Sequence, residues 1–222
     1  MSFFISTPCH AKDIPDHFAV EKIVEIREDV EEKVFDRIGG IKMLYQQYKD
    51  VPYPDQIIYF GDSRVVGMQM TGGDQIYVGK VSMGYNWMAG TGKDLLLQEM
   101  SAHPDAQIVF CFGVNDVGNI GSYISWFQSF ISQYPDREIW YESVNPIEDG
   151  KAAACGYFAR DQMVRSFNGQ LEGALSDRYL DTYSELVSTG FGTQDGVHYD
   201  SGTYQKIQDL TKDLIVDKEQ EI

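Results

Sequence analysis

From residue 56 onward the chain predicts an α/β fold, with a parallel sheet covered by helices on both faces. Three observations carry this. Short apolar runs alternate with helix-length stretches. The runs hold large residues at consecutive positions, as strands buried on both faces do. The intervening stretches each carry one apolar stripe, so each can lie against a sheet.

The elements follow in order. "QIIYFGDS" (56–63), "QIYVGKVS" (75–82), "AQIVFCFG" (106–113), "EIWYESVN" (138–145) and "RYLDTYSEL" (178–186) read as five strands. "GSYISWFQSFISQY" (121–134) places Tyr123, Trp126, Phe127, Phe130, Ile131 and Tyr134 on one helical stripe. "CGYFARDQMVRSFNGQLEGAL" (155–175) reads as a further helix. In "DSGTYQKIQDLTKDLI" (200–215), Tyr204, Ile207, Leu210, Leu214 and Ile215 share a face, and Asp200 or Ser201 can cap its start.

The first fifty residues differ. "VEKIVEIREDVEEKVFDRIGG" is highly charged, with Val20, Ile23, Val24, Val30, Val34 and Ile38 near helical spacing. Gly39 and Gly40 are stop signals, and "IKMLYQQYKD" reads as a second short helix halted before Pro52. The expected organisation is a helical extension over 1–50 and a main domain over 51–222. The extension either packs on the main domain or serves as an oligomerisation arm for homo-oligomers.

The chain has 222 residues and a formal net charge of −16. That charge argues against nucleic acid, because neutralising phosphates requires clustered Lys and Arg. Its three cysteines, Cys9, Cys111 and Cys155, form no CxxC, so neither a disulfide framework nor a structural zinc site is expected. His10 and His17 lie near Cys9 in an order that matches no ordinary zinc pattern. No long uncharged apolar run suggests a membrane span. The start "MSFFISTPCHAKD" lacks a basic flank and is not a complete signal peptide. As it stands the chain reads as soluble and cytoplasmic; a secreted or cell-surface protein with a trimmed signal or anchor is the alternative.

In a parallel sheet, ligands bind beyond the carboxyl ends of the strands. Those ends carry Gly61, Asp62 and Ser63; "SMGYNWM" with Gly84; "GVND" with Asn115 and Asp116; and "DGVHYD" with Asp195 and His198. Ester cleavage needs a nucleophile, a base, a group that orients the base, and donors for the developing oxyanion. Ser63, His198 and Asp195 can supply the first three. The N–H groups of Ser63 and Gly84 and the Asn115 amide can supply the donors. Taken singly, each residue also has a plain reading: Ser63 as a helix cap, Asn115 as a turn residue, His198 as a structural histidine.

In that order and at those strand ends, the residues resemble the SGNH, or GDSL-type, esterase/lipase family over roughly residues 56–216. Ser63 in "GDSR", Gly84 in "SMGYNWM", Asn115 in "GVND" and His198 in "DGVH" match its four blocks, and Asp195 matches the Asp three residues before the His. The resemblance implies a flavodoxin-like three-layer α/β/α sandwich and a five-stranded parallel sheet. It also implies an acyl-enzyme on Ser63, with neither metal nor organic cofactor. Gly79 and Gly90 lie near Gly84 and compete for its assignment.

Arg64 departs from the family pattern, where leucine is common. It reads either as half of a surface ion pair or as a rim charge favouring an anionic substrate. "AGTGKD" (89–94) echoes a phosphate-binding loop but has Trp87 where a glycine is required and Asp94 after the lysine. Tyr85, Asn86 and Trp87 after the glycine, and Tyr199 after the histidine, read either as core packing or as a pocket wall that stacks on a sugar. The expected activity is a carboxylic-ester hydrolase, most simply a short-chain (acetyl-like) acyl esterase on a carbohydrate or other polar substrate. The alternatives are acyl transfer by the same triad and a non-catalytic ligand-binding module.

Overall fold

Ile57–Gly61 forms β1, and each of its five residues is buried. Burial of both faces is what its unbroken run of large side chains requires. The structure, a computed structural model, describes residues 56–220. The expected helical extension over 1–50, its oligomerisation role and the Cys9, His10 and His17 group lie outside the described residues.

β1 is followed by α1 (Ser63–Gln69), β2 (Ile76–Gly79), α2 (Tyr85–Trp87), a kinked turn over Met88–Gly92, and α3 (Lys93–Ala102). Next come β3 (Gln107–Cys111), a single 3₁₀ turn at Val117–Asn119, α4 (Ile120–Gln133) and β4 (Ile139–Glu142). The chain continues through α5 (Asp149–Ala154), α6 (Asp161–Leu175), β5 (Tyr179–Leu180), α7 (Thr182–Thr189) and α8 (Ser201–Gln220).

The sheet has five strands in the order β2-β1-β3-β4-β5, and all its pairings are parallel. Alternate residues divide the core in two. Ile58, Phe60, Ile108, Phe110, Ile139 and Tyr141 face one way and meet Leu96 of α3, Tyr123 and Phe127 of α4, and Phe167 of α6. Ile57, Tyr59, Val109, Trp140 and Leu180 face the other way and meet Val65 of α1, Leu186 of α7, and Ile207 and Ile215 of α8. The result is the expected three-layer sandwich. Phe110 lies at the middle of the first layer, edge-on to Phe60 at 5.2 Å, Phe127 at 5.2 Å and Phe130 at 5.5 Å. Such edge-to-face contacts suit the ring quadrupole.

Every strand is shorter than the run read for it, and two boundaries differ most. The fifth strand is two residues long rather than nine, because Asp181 accepts a hydrogen bond from the Ser184 N–H and caps α7. The helix expected over 155–175 starts only at Asp161, because α5 ends at Ala154 and Gly156 takes a φ of +80°. Its N–H donates to the Ala153 carbonyl and the Tyr157 N–H to the Ala152 carbonyl. That pair of bonds is a Schellman cap, which glycine admits readily.

Strand order reverses between β1 and β3, so their carboxyl ends flank the topological switch point, where open α/β sheets bind ligands.

Candidate active site

β1 delivers Asp62 and Ser63. Asp62 is the residue that caps α1: its carboxylate accepts from the Arg64 N–H at 3.0 Å. The hydroxyl of Ser63 is therefore released from the capping role its position suggested. It lies 2.8 Å from His198 Nε2 instead. Asp62 is 1% exposed, and burial pushes its carboxyl up to about 6 against the pull of Arg64.

The segment before α8 delivers Asp195 and His198. Asp195 Oδ1 accepts from the Val197 N–H at 3.0 Å and the His198 N–H at 2.8 Å. Its Oδ2 meets His198 Nδ1 at 2.8 Å. The phenol of Tyr157 donates to the same Oδ2, also at 2.8 Å. Burial opposes ionisation of Asp195, but these donors outweigh it and hold its carboxyl below the usual carboxylate range. Ser63, His198 and Asp195 thus form one hydrogen-bonded chain. Such a chain can take a proton from the serine oxygen while an anionic carboxylate faces the ring.

β3 and β2 deliver Asn115 and Gly84. Asn115 Nδ2 donates to the carbonyl of Met83 at 2.9 Å, tying the two loops together. Asp116 adds a second tie. Its carboxylate accepts from the Tyr85 N–H at 2.8 Å, Asn119 Nδ2 at 3.0 Å and the Tyr123 hydroxyl at 2.6 Å. A Cβ on residue 84 would sit 2.4 Å from Asp116 Oδ2, so the close approach requires glycine there.

Arg64 is neither in a surface ion pair nor on a rim. It is 5% exposed. Its Nε donates to the Val197 carbonyl at 3.1 Å and its Nη1 to the Asn145 carbonyl at 2.8 Å, while Nη2 has no hydrogen-bond partner among the described residues. The guanidinium lies 5.1 Å from the Tyr199 ring centroid. Tyr199 is itself fully buried and donates to the Pro146 carbonyl at 2.6 Å. It packs in the core and presents no ring face to a sugar. Tyr85 packs edge-on against Tyr123, and Trp87 lies against Phe60 and Phe112. Both are half-buried supports beneath the Gly84 loop, whereas Asn86 is exposed.

A pocket of about 590 Å³ opens beside Asn115. Its walls include Val117, Tyr157, Phe158, Met163, Phe167 and Val197, with Gln162, Ser166 and Gln170 along one side. Among the described residues, Asp116 is its one charged lining residue. A smaller depression of about 280 Å³ holds Ser63 and His198. Sequence reading missed Tyr157 and Phe158. The signal that could have found them is the glycine after "AAAC", a C-cap that turns the next two side chains out of the helix.

These features define the class: a doubly covered parallel sheet with a Ser–His–Asp hydrogen-bonded chain at its switch point. Among solved structures, the fold is that of SGNH and GDSL-type lipases and acylhydrolases. A lipase/acylhydrolase from Enterococcus faecalis matches with a TM-score of 0.57 at 14% identity, covering 73% of this chain and 96% of that one. A GDSL-like lipase from Bacteroides thetaiotaomicron matches with a TM-score of 0.52 at 17% identity, covering 82% and 98%. No protein-family model matches the chain, and no curated protein does. Among the described residues, no helix is long and apolar enough to cross a membrane.

Proposed function

We propose that the protein is a serine hydrolase of carboxylic esters, acting through an acyl-enzyme on Ser63. The observation that carries this reading is the hydrogen-bonded chain from Ser63 Oγ through His198 to Asp195, with 2.8 Å at each link. Ser63 Oγ attacks the acyl carbon while His198 Nε2 accepts its proton. Asp195 keeps Nδ1–H directed at its carboxylate and stabilises the imidazolium. The Ser63 and Gly84 N–H groups and the Asn115 amide stabilise the oxyanion. One N–H of that amide binds Met83, and the nitrogen has a second to offer. The imidazolium then protonates the departing alcohol. His198 next takes a proton from water, which attacks the acyl carbon; the Ser63 Oγ–acyl bond then breaks, His198 returns the proton to Ser63 Oγ, and the acid leaves.

The substrate is an uncharged ester, in this reading a short-chain acyl group on a carbohydrate or other polar alcohol. The lining of the large pocket supports this: Gln162, Ser166 and Gln170 can hydrogen-bond hydroxyls, and Tyr157 and Phe158 offer aromatic surface. The net charge of −16 and Asp116 disfavour anions. Hydrolysis of p-nitrophenyl acetate, with Ser63→Ala as control, tests the nucleophile. Full activity in that variant rules out Ser63. A panel of esters varying acyl length and alcohol then tests the substrate class.

A further inference from the structure

We infer that Tyr157 is a positioning residue for the proposed Ser63–His198–Asp195 chain, coupling the large pocket to the carboxylate of Asp195. This rests on the esterase reading. The geometry has three parts. The phenol donates to Asp195 Oδ2 at 2.8 Å, the oxygen that His198 Nδ1 also meets at 2.8 Å. The ring stands edge-on to the imidazole, 5.9 Å between centroids. The same ring forms part of the wall of the 590 Å³ pocket.

The backbone holds Tyr157 where it is. Its N–H is fixed by the Ala152 carbonyl at the end of α5, and Arg160 Nη1 donates to its carbonyl. With Tyr157 in place, Asp195 has a donor for each of four lone-pair directions: two backbone N–H groups on Oδ1, and the imidazole and phenol on Oδ2. Its carboxylate can then neither rotate nor take a proton easily. The bond to Asp195 also raises the phenol above its ordinary range, so it stays a donor throughout the working pH range.

Two consequences follow. The shared oxygen divides its negative charge between phenol and imidazole, so removing the phenol leaves more of it for the imidazolium. Removing the phenol also frees Asp195 to rotate, which spoils the aim of His198. Among the described residues, the other ionisable groups around this chain include Asp62 and Arg64 of the β1–α1 segment, Tyr204 of α8, and Cys155 beside Tyr157; Arg64 bonds the carbonyl next to His198. Tyr157→Phe leaves all of them in place.

The test compares wild type with Tyr157→Phe, using ester hydrolysis across pH 5 to 9 and the rate at which a fluorophosphonate labels Ser63. Circular dichroism and thermal unfolding check that the variant is folded. Tyr157→Phe is expected to lower kcat about tenfold, with KM within about twofold. The acid limb of kcat/KM is expected to move to higher pH. A change in KM alone makes Tyr157 a pocket wall and overturns the inference. So does a variant with wild-type kcat and acid limb. If the wild type is not labelled on Ser63, the esterase reading falls and takes this role with it. If wild type and variant are labelled equally at every pH, only the role of Tyr157 falls.

Discussion

Arg64 and Val197 lie 133 positions apart in the chain, yet Arg64 Nε donates to the Val197 carbonyl at 3.1 Å. The residue after the proposed nucleophile therefore holds the residue before the proposed base. Its Nη1 grips the Asn145 carbonyl beyond β4 as well. One buried guanidinium thus joins the carboxyl ends of β1 and β4 to the His198 segment.

Arg64→Met should therefore destabilise the fold. It removes two charge-assisted hydrogen bonds and leaves the buried Asp62 and Glu142 without their nearby cation. The expected loss is about 3 kcal/mol, a drop in Tm of roughly 6–12 °C. Ester hydrolysis should fall as well, because the loop carrying His198 loses its anchor. Thermal unfolding and kcat/KM measured at pH 7 check both, and an unchanged Tm would show that Arg64 is not a clamp.

Asn115→Ala should lower kcat by about a hundredfold or more if its amide holds the oxyanion. The variant also loses the exposed bond to Met83, a modest cost to stability. The signature is a large fall in kcat with little change in Tm. Steady-state kinetics on an acetate ester decides it; a fall of less than about threefold assigns the oxyanion to other donors.

Gly84→Ala should be more damaging than an alanine in an exposed loop. The new methyl would meet the Asp116 carboxylate, which is tied to Tyr85, Asn119 and Tyr123 and cannot easily withdraw. Such overpacking costs about 1–3 kcal/mol. Because the Gly84 N–H is also a proposed oxyanion donor, kcat should fall more than stability alone explains. Wild-type kinetics and Tm in this variant would sink the prediction.

The buried acids set a pH dependence of opposite sign from the usual one. Glu142 is 1% exposed, and burial pushes its carboxyl up to about 7 despite bonds from Thr211 and Asn145. Asp62 is raised to about 6 in the same way. Between about pH 4 and pH 7 the folded chain binds these protons more tightly than the unfolded chain does. These two groups therefore make stability fall as pH rises; their penalty is absent below pH 4 and complete above pH 7. Asp195, held below the usual range, acts in reverse and loses its contribution as pH falls. Glu142→Gln removes one raised carboxyl, so its Tm relative to wild type should improve from pH 5 to about pH 7 and then level off. A difference that does not vary with pH would contradict this.

Much of the fold was legible in the sequence because its cause is local. Runs such as "QIIYF" and "AQIVFCF" put large side chains on both faces of a strand, and only a sheet covered on both sides accommodates that. Ser63, Asn115, Asp195 and His198 could be picked out for a related reason: strand ends in a parallel sheet converge on one side, whatever the loops do. The short β5 and the break before α6 were less legible. They depend on caps at Asp181 and Gly156, and these compete with helix and strand patterns that extend through them.

Only the tertiary structure could decide the rest. A charge beside a small hydroxyl looks like surface chemistry when read along the chain. Arg64 is buried because carbonyls 81 and 133 positions away accept from it and the Tyr199 ring covers it. Asp62 takes the cap of α1, which leaves the Ser63 hydroxyl for His198. Tyr157 reaches Asp195 across 38 positions because a glycine cap turns the chain at one point. Periodicity and propensity report what a residue prefers within a few neighbours. Hydrogen bonds between distant loops arise only once the sheet has set where those loops end.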